Sequence, residues 1–203
     1  MIYIVSFLIG FFSGAIPYGY IVSKIKGIDI RREGSGNIGF SNVFRTVGKP
    51  EGIIVLVLDV AKGLLPVLFV TNYCGYNYGL IAGVASMLGH MFTPFLKLKG
   101  GKGVATGLGV FIGLAPLSAV FAFVVWLIVV AVTRYISLGS IVAAFALPVL
   151  ILCSRFFIRD EFNIYLEMLT IVVCVLVILL HRENIKRLLK GKERKFSFGK
   201  REE

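Results

Sequence analysis

Long apolar stretches dominate this chain, and they constrain its fold more than any other feature of the sequence. A helix needs roughly 20 predominantly apolar residues to cross the hydrocarbon core of a bilayer. Stretches close to this length occupy residues 2–22, 53–71, 76–92, 138–153 and 164–180. With 57% hydrophobic residues and a mean hydropathy of +0.88, the chain is far more apolar than a soluble domain of its size. The sequence therefore predicts an integral membrane protein built of helices.

A further uncharged run covers residues 104–133 and does not fit a single crossing. Its 30 residues are too many for one span and too few for two full ones. Gly113 and Pro116 offer a break, so we predict a short helix followed by a second helix over 117–133. The fold class is then an all-α integral membrane protein with about seven transmembrane helices, some of them short or broken. No linker or tandem repeat divides the chain, so we expect one domain over residues 1–203.

The basic residues indicate how the predicted helices are oriented. A formal net charge of +11 could reflect binding to nucleic acid or to anionic lipid, or the excess of Lys and Arg in cytoplasmic loops. With seven spans and the N-terminus outside, nearly all of the basic loops and a short basic tail over about 191–203 lie on the cytoplasmic side. Only Arg155 and Arg159 fall outside, in the predicted outer loop that runs to Glu161. The charge is mainly a topology signal, and no nucleic-acid partner is needed to explain it.

Metal and disulfide chemistry have little support in the sequence. The three cysteines, Cys74, Cys153 and Cys174, have no CxxC spacing. Carboxylates are too few on the predicted inner face for a two-metal cage. We therefore expect no metal, no cofactor and free thiols within apolar helices.

The first predicted inner loop has the composition of an anion site. Residues 34–45 contain three glycines, two serines, two asparagines and an arginine, which can turn backbone N–H groups, side-chain donors and a cation toward one phosphate. The candidate residues are Ser35, Gly36, Asn37, Gly39, Ser41, Asn42 and Arg45. Glycine-rich loops are also common in membrane bundles without any binding role, so composition alone leaves both interpretations open.

The second predicted inner loop places a lysine among glycines at the start of a short helix. Backbone N–H groups at a helix N-terminus beside a cation favour an anion. The candidates are Gly100, Gly101, Lys102, Gly103 and Thr106, with His90 in a supporting position. Because Lys102 is followed by Gly103 rather than by Ser or Thr, the loop is not a nucleotide-binding P-loop.

Other polar groups follow the last span or lie within the membrane segments. His181, Asn184 and Leu188 share a helix face at i, i+3 and i+7, so the first two side chains can reach the same pocket, and Arg187 is a supporting candidate. An interfacial helix that contacts anionic lipid is the alternative for the basic residues of this segment. Within the spans, Asp59 and Lys62 predict a buried ion pair that could brace a polar cavity, and Ser137 and Ser140 are weaker supporting candidates.

These segments together resemble the bacterial acyl-phosphate-dependent glycerol-3-phosphate acyltransferase family, known as PlsY. The first motif of that family is similar to Ser-Gly-Asn-x-Gly-x-x-Asn-x-x-Arg over residues 35–45. The second is similar to Gly89-His90 followed by residues 100–106, and the third to His181-Arg182-x-Asn184-Ile185-x-Arg187-Leu188. Ile38 replaces the usual proline, and Phe40 and Ser41 replace a common Ala-Thr pair, although Ser41 keeps the hydroxyl.

The resemblance implies transfer of a fatty acyl group from acyl phosphate to the 1-hydroxyl of glycerol 3-phosphate, which gives lysophosphatidate and inorganic phosphate. The partners would be glycerol 3-phosphate, membrane lipid and acyl phosphate supplied by a phosphate acyltransferase, with no direct use of acyl-CoA or acyl carrier protein. We expect a monomer in the bacterial cytoplasmic (inner) membrane, with its active site facing the cytoplasm. The expected catalytic residues are Ser35, Arg45, Lys102, His181 and Asn184.

No His-x-x-x-x-Asp motif exists, since Phe95 and Lys186 stand at the fifth positions after the two histidines, so the His-Asp relay of other glycerolipid acyltransferases is excluded.

Two other classes of protein remain open on the sequence. A transporter for a phosphorylated metabolite would also need anion-binding glycines and intramembrane charges. A lipid-binding scaffold would bind acyl phosphate without releasing phosphate.

Overall fold

All of the regular secondary structure in the described part of the chain is helical. The computed structural model describes residues 1–158 and 163–196, and these residues form helices and loops with no β-strand. Arg159, Asp160 and Glu161 in the predicted outer loop, and the last seven residues of the basic tail, lie outside the described residues. The helices are α1 (Ile2–Ala15), α2 (Tyr18–Ile25), α3 (Phe40–Thr46), α4 (Lys49–Cys74), α5 (Tyr76–Met91), α6 (Val104–Leu114), α7 (Pro116–Thr133), α8 (Ile136–Ile158), α9 (Ile164–Leu180) and α10 (Arg182–Leu189).

Each predicted apolar segment coincides with one or two helices. Within the part of the chain that the structure describes, five helical segments are long and apolar enough to cross a membrane: Ile2–Ile25, Lys49–Cys74, Tyr76–Leu96, Pro116–Thr133 and Ile136–Ser154. A sixth is the pair α9 and α10, which meet at a bend of 58°. The short helix α6 ends at Leu114 and α7 begins at Pro116, so the break predicted near Gly113 and Pro116 is confirmed. Because α6 has only 11 residues, the count of seven crossings stays a prediction.

The first predicted span is broken where a proline interrupts it. Pro17 has no backbone N–H to donate, and α1 gives way to α2 at Ile16 and Pro17. The carbonyl groups released at this break accept hydrogen bonds from side chains elsewhere in the chain. Thr93 donates from Oγ1 to the oxygen of Ala15 at 2.6 Å, and Lys62 donates from Nζ to the oxygen of Ile16 at 2.8 Å. The break therefore depends on tertiary contacts.

The chain divides into two compact units, Met1–Pro116 and Leu117–Glu203. In the first unit, small residues bring helix backbones close together, as is common where helices pack within membranes. A methyl group on Gly14 of α1 would overlap the carbonyl of Ser86 in α5, and one on Gly109 of α6 would overlap that of Val60 in α4. In the second unit, Gly139 of α8 packs against Trp126 of α7. The expectation of one domain over residues 1–203 stays a prediction.

Candidate active site

The first inner loop is built around the amide of Asn42. This side chain is 1% exposed, and its Oδ1 accepts from the backbone N–H of Ser35 at 3.0 Å. Its Nδ2 donates to the carbonyl oxygens of Glu33 and Asn37, each at 3.0 Å. The prediction that Asn42 binds phosphate is therefore revised: because its polar atoms are bonded to the loop backbone, it shapes the loop instead.

The backbone path of this loop requires a glycine at position 36. Gly36 adopts a φ of +70°, which a residue with a side chain rarely accepts, and it passes close to the carbonyl of Arg31. Gly39 precedes α3 and donates its N–H to Oδ1 of Asn37 at 2.8 Å. Ile38, which replaces the family's proline, is buried in an apolar cluster with Ile30, Val43, Val55 and Leu96. The loop is thus anchored by its own apolar residue.

Polar side chains from this loop remain near its surface. Ser35 is exposed, while Ser41 and Arg45 are partly buried. One turn apart on α3, Arg45 donates from Nη1 to Oγ of Ser41 at 3.3 Å. The structure therefore brings together a hydroxyl and a guanidinium that were both predicted to contact phosphate.

A second cation lies nearby in the sequence, on a charged turn that precedes the loop. Arg31 pairs with Asp29 at 2.6 Å and lies 4.7 Å above the ring of Tyr20. The hydrogen bond from Arg31 holds the pKa of the Asp29 carboxyl well below its usual range. Because its charge is paired, Arg31 is a poorer phosphate ligand than its position suggests.

The second inner loop folds back onto the end of α5. Gly100 donates its N–H to the carbonyl of Met91 at 3.0 Å, and Gly101 donates to that of His90 at 3.1 Å. A Cβ atom at Gly100 would overlap the carbonyl of His90, and one at Gly101 would overlap the imidazole ring. These two contacts explain why glycines precede Lys102, and they give His90 a supporting role.

Gly103 and Thr106 connect this loop to α6. Gly103 caps the helix with a φ of +78°, so Lys102 stands at the turn between the two glycines and the helix. Thr106 was predicted to contact phosphate, but it is fully buried on the face of α6 that packs against Gly63 of α4. That prediction is revised, since Thr106 belongs to a helix interface.

The ion pair predicted within the second span is present and deeply buried. Nζ of Lys62 lies 2.7 Å from Oδ1 of Asp59, and the two side chains are 2% and 3% exposed. Nδ1 of His90 lies 3.9 Å from the same carboxylate oxygen, beyond hydrogen-bond distance. Ser13 and Ser86 donate to the backbone carbonyl of Lys62 at 3.0 Å and 2.9 Å. This polar network joins α1, α4 and α5 beneath the second loop.

In the second unit, the bend between α9 and α10 occurs at His181. Its Nδ1 lies 2.8 Å from the carbonyl oxygen of Val177, and the residue is 4% exposed. A carbonyl oxygen can only accept, so Nδ1 carries the proton and Nε2 carries the lone pair in the neutral ring. The tautomer of His181 is thereby set by the helix that precedes it.

A carboxylate that the sequence analysis did not single out organises the third motif. Glu193 accepts hydrogen bonds from Ser137 Oγ at 2.8 Å, Asn184 Nδ2 at 2.6 Å and Arg187 Nε at 2.7 Å. Partial burial would raise the pKa of Glu193, but these three donors outweigh it and hold the pKa below the usual value. The Glu193 side chain is only 7% exposed, so the basic tail begins with a buried contact.

The tail continues along the connection between α7 and α8. Phe196 donates its backbone N–H to the carbonyl of Arg134 at 2.6 Å, and Lys195 lies 6.0 Å from the centre of the Tyr135 ring. Ser140, a predicted supporting residue, donates to the carbonyl of Ile136 and accepts from Trp126. Ser140 therefore serves helix packing, whereas Ser137 belongs to the Glu193 contacts.

Among the residues that the structure describes, no group of three His, Cys, Asp or Glu side chains could hold a metal ion. Cys74 and Cys153 are exposed and Cys174 is buried, and all three are free thiols. Anion binding by cations and backbone donors is the chemistry that the two loops of the first unit support.

Comparison with known proteins decides the family. Residues 4–191 match the family described as glycerol-3-phosphate acyltransferase. The chain belongs to this family. A glycerol-3-phosphate acyltransferase from Geobacter sulfurreducens is 47% identical over 190 residues, covering 93% of this chain and 94% of that protein. One from Aquifex aeolicus is 41% identical over 185 residues, covering 90% of this chain and 93% of that protein.

Solved structures of a family member show the same fold. The crystal structure of PlsY (YgiH), an integral membrane glycerol 3-phosphate acyltransferase, in its glycerol 3-phosphate form has a TM-score of 0.87 to this chain. The sequences are 38% identical, and the match covers 96% of both chains. The lysophosphatidic acid form has a TM-score of 0.85 at the same identity and covers 96% of this chain and 95% of that one. The predicted family and the all-α integral membrane fold are both confirmed.

Proposed function

We propose that this protein transfers a fatty acyl group from acyl phosphate to the 1-hydroxyl of glycerol 3-phosphate, releasing lysophosphatidate and inorganic phosphate. The proposal rests mainly on one observation: two ordered glycine loops each present a cation, Arg45 or Lys102, in a chain that belongs to the glycerol-3-phosphate acyltransferase family. Both substrates carry a phosphate, which accounts for more than one anion-binding loop. The reaction would take place in the bacterial cytoplasmic membrane, on its cytoplasmic side, with no metal or cofactor.

The first unit would bind phosphate through groups that its backbone leaves near the surface. Arg45 and Lys102 supply positive charge, and the hydroxyls of Ser35 and Ser41 supply donors. Backbone N–H groups of the glycine loops complete such a site without a side chain between them and the anion. The loops and the helix that carry these groups are held in place by Asn42, Thr106 and His90, which do not contact the phosphate themselves in this proposal.

The chemical step is an attack by the 1-hydroxyl oxygen on the carbonyl carbon of the mixed anhydride. A new ester C–O bond forms, the bond between the carbonyl carbon and the phosphate oxygen breaks, and phosphate leaves with that electron pair. Charge that builds on the carbonyl oxygen is stabilised by nearby cations and N–H donors. Because phosphate leaves readily, the residues mainly need to orient two anionic substrates and neutralise their charge.

The hydroxyl proton has two acceptors in this scheme. His181 carries its lone pair on Nε2, as a general base requires. The departing phosphate is the other acceptor, in which case the reaction is assisted by its own substrate. His90 is unsuited to the role, because its imidazole is buried beneath Gly101.

The test is a comparison of acyl donors with the purified protein. We expect lysophosphatidate from palmitoyl phosphate and glycerol 3-phosphate, and none from palmitoyl-CoA or palmitoyl acyl carrier protein without a separate phosphate acyltransferase. Product formed directly from either thioester would overturn the assignment of the donor. Binding of acyl phosphate without any turnover by the folded protein would overturn the assignment as an enzyme.

A further inference from the structure

The turn that joins α5 to the second glycine loop carries exposed apolar side chains. This turn covers residues 92–99, and its Phe95 and Leu98 side chains are each 61% exposed. The helical segment Tyr76–Leu96 is long and apolar enough to cross a membrane. The exposed side chains of the 92–99 turn therefore lie where such a span ends, at the level of the bilayer interface.

The backbone of the 92–99 turn is held in an unusual conformation. Two consecutive residues, Lys97 and Leu98, have φ values of +54° and +62°. This left-handed region is unfavourable for a residue with a side chain, whereas glycine adopts it readily. Leu98 donates its N–H to the carbonyl of Thr93 at 2.9 Å, and the buried Leu96 packs in the same apolar cluster as Ile38. The turn thus presents a lysine and a leucine from a fixed backbone, at positions where glycine would cause no strain.

The positive charge of this turn is not balanced by nearby carboxylates of the chain. Lys97 and Lys99 are both exposed, and neither forms an ion pair with any residue in the ranges 1–158 and 163–196. No acidic residue occurs in the sequence between Asp59 and Asp160. The two lysines are therefore suited to an anion that comes from outside the protein.

A bilayer with anionic lipid offers both of the surfaces that this turn requires. Aromatic and aliphatic side chains at a membrane interface enter the boundary between headgroups and acyl chains, while lysines reach the phosphates. An acidic protein surface would match the two lysines, but it would also need an apolar cleft for Phe95 and Leu98. Because the turn directly follows a membrane span, the bilayer is the partner that its position favours.

We propose that the 92–99 turn docks on anionic lipid, with Phe95 and Leu98 at the apolar edge of the headgroup region and Lys97 and Lys99 bound to lipid phosphates. Since Gly100 follows Lys99 directly, this contact holds the second glycine loop at the level of the headgroups. The inference is independent of the proposed function, because it concerns the bilayer and not the substrates.

Fluorescence quenching by brominated lipids tests the contact directly. Trp126 is the single tryptophan of the chain, so Phe95→Trp combined with Trp126→Phe places one reporter on the turn. The full-length protein is reconstituted in bilayers that contain an equal mole fraction of either brominated phosphatidylglycerol or brominated phosphatidylcholine. We expect both lipids to quench the reporter, and phosphatidylglycerol to associate with it at least about threefold more strongly.

Two variants show whether the preference belongs to the lysines of the turn. Lys97→Gln combined with Lys99→Gln should abolish the preference for phosphatidylglycerol, while quenching remains because the apolar side chains are unchanged. Phe69→Trp in the Trp126→Phe background is the matched control. Phe69 is an exposed aromatic residue of α4, and residues 63–96 contain no Lys, Arg, Asp or Glu. Its reporter should be quenched equally by the two lipids.

Thermal unfolding checks the background, because Trp126→Phe removes a hydrogen bond to Ser140. If that change unfolds the protein, Phe95→Trp is measured with Trp126 in place and the signal of the wild-type protein is subtracted. A reporter at position 95 that neither brominated lipid quenches would overturn the proposal and leave an acidic protein as the partner. Equal association of the two lipids, or a preference that survives removal of both lysines, would also overturn it.

Discussion

The backbone of Gly101 lies against the imidazole of His90, with no room between them for a methyl group. Gly101 also donates its N–H to the carbonyl of the same histidine at 3.1 Å. Gly101, which precedes Lys102, is therefore held by both the ring and the carbonyl oxygen of His90 in α5. The placement of the lysine thus depends on this contact between Gly101 and His90.

Gly101→Ala should displace the second loop from the end of α5. Relief of the overlap requires movement of the loop backbone or of His90, at a cost of about 1–3 kcal/mol in a tightly packed site. We expect the KM for glycerol 3-phosphate to rise by about tenfold or more, measured in steady-state assays. Gly27→Asn is the control, because nothing lies within 4 Å of a Cβ at Gly27 and asparagine tolerates its positive φ. Unchanged kinetics in Gly101→Ala would show that the contact with His90 does not position Lys102.

Removal of one partner of the buried ion pair should destabilise the first unit more than removal of both. Lys62→Met leaves the Asp59 carboxylate uncompensated in the membrane span and also frees the carbonyl of Ile16. We expect a loss of about 3–5 kcal/mol for the single variant, and a smaller loss for Asp59→Leu combined with Lys62→Met. Chemical unfolding in detergent micelles measures both. If the double variant loses the sum of the losses measured for Lys62→Met alone and Asp59→Leu alone, the pair does not behave as a coupled unit.

Asn42 and Ser35 should have separable effects, although they belong to one loop. Asn42→Ala removes the buried amide that bonds the backbone at several points, so both thermal stability and activity should fall. Ser35→Ala changes an exposed hydroxyl, so activity should fall while the melting temperature stays within about 2 °C of wild type. Similar losses of stability in the two variants would contradict the assignment of Asn42 to loop structure and of Ser35 to phosphate binding.

The predicted orientation can be tested with the protein's own thiol. Cys74 is exposed at the end of α4, on the side predicted to face outward. With Cys153 and Cys174 replaced by serine, Cys74 should react with a membrane-impermeant maleimide in intact cells. In a protein without native thiols, Lys99→Cys on the second inner loop should react only after the membrane is permeabilised. The reverse pattern would show that the N-terminus lies inside.

The sequence predicts the helices better than it predicts what the polar residues do. Apolar length places the helices well, because membrane spanning is a property of composition. The break before Pro116 follows from a run of 30 uncharged residues that is too long for one span and has Gly113 and Pro116 near its middle. The break at Ile16 and Pro17 lies inside the stretch predicted as one span. Pro17 ends α1 there, and the carbonyl groups released at the break accept hydrogen bonds from Lys62 and Thr93, which come from distant parts of the chain.

The predicted site residues divide into exposed and buried ones, and this difference also depends on tertiary contacts. Composition identifies which residues could bind phosphate, but it cannot tell an exposed donor such as Ser35 from a buried one such as Asn42 or Thr106. Glu193 was missed because a glutamate among lysines near a chain end is typical of solvated tails. Its role depends on Ser137, which is far away in sequence.

The most direct test of the account measures both products of the reaction at once. Purified protein receives palmitoyl phosphate and glycerol 3-phosphate, and inorganic phosphate and lysophosphatidate are quantified together for the wild type, Ser35→Ala and Lys102→Ala. We predict that the wild type forms the two products in equal amounts, only when glycerol 3-phosphate is present, and that both variants lose at least about 90% of this activity while remaining folded. Phosphate release without lysophosphatidate, or full activity in both variants, would contradict an acyl transfer carried out by these two loops.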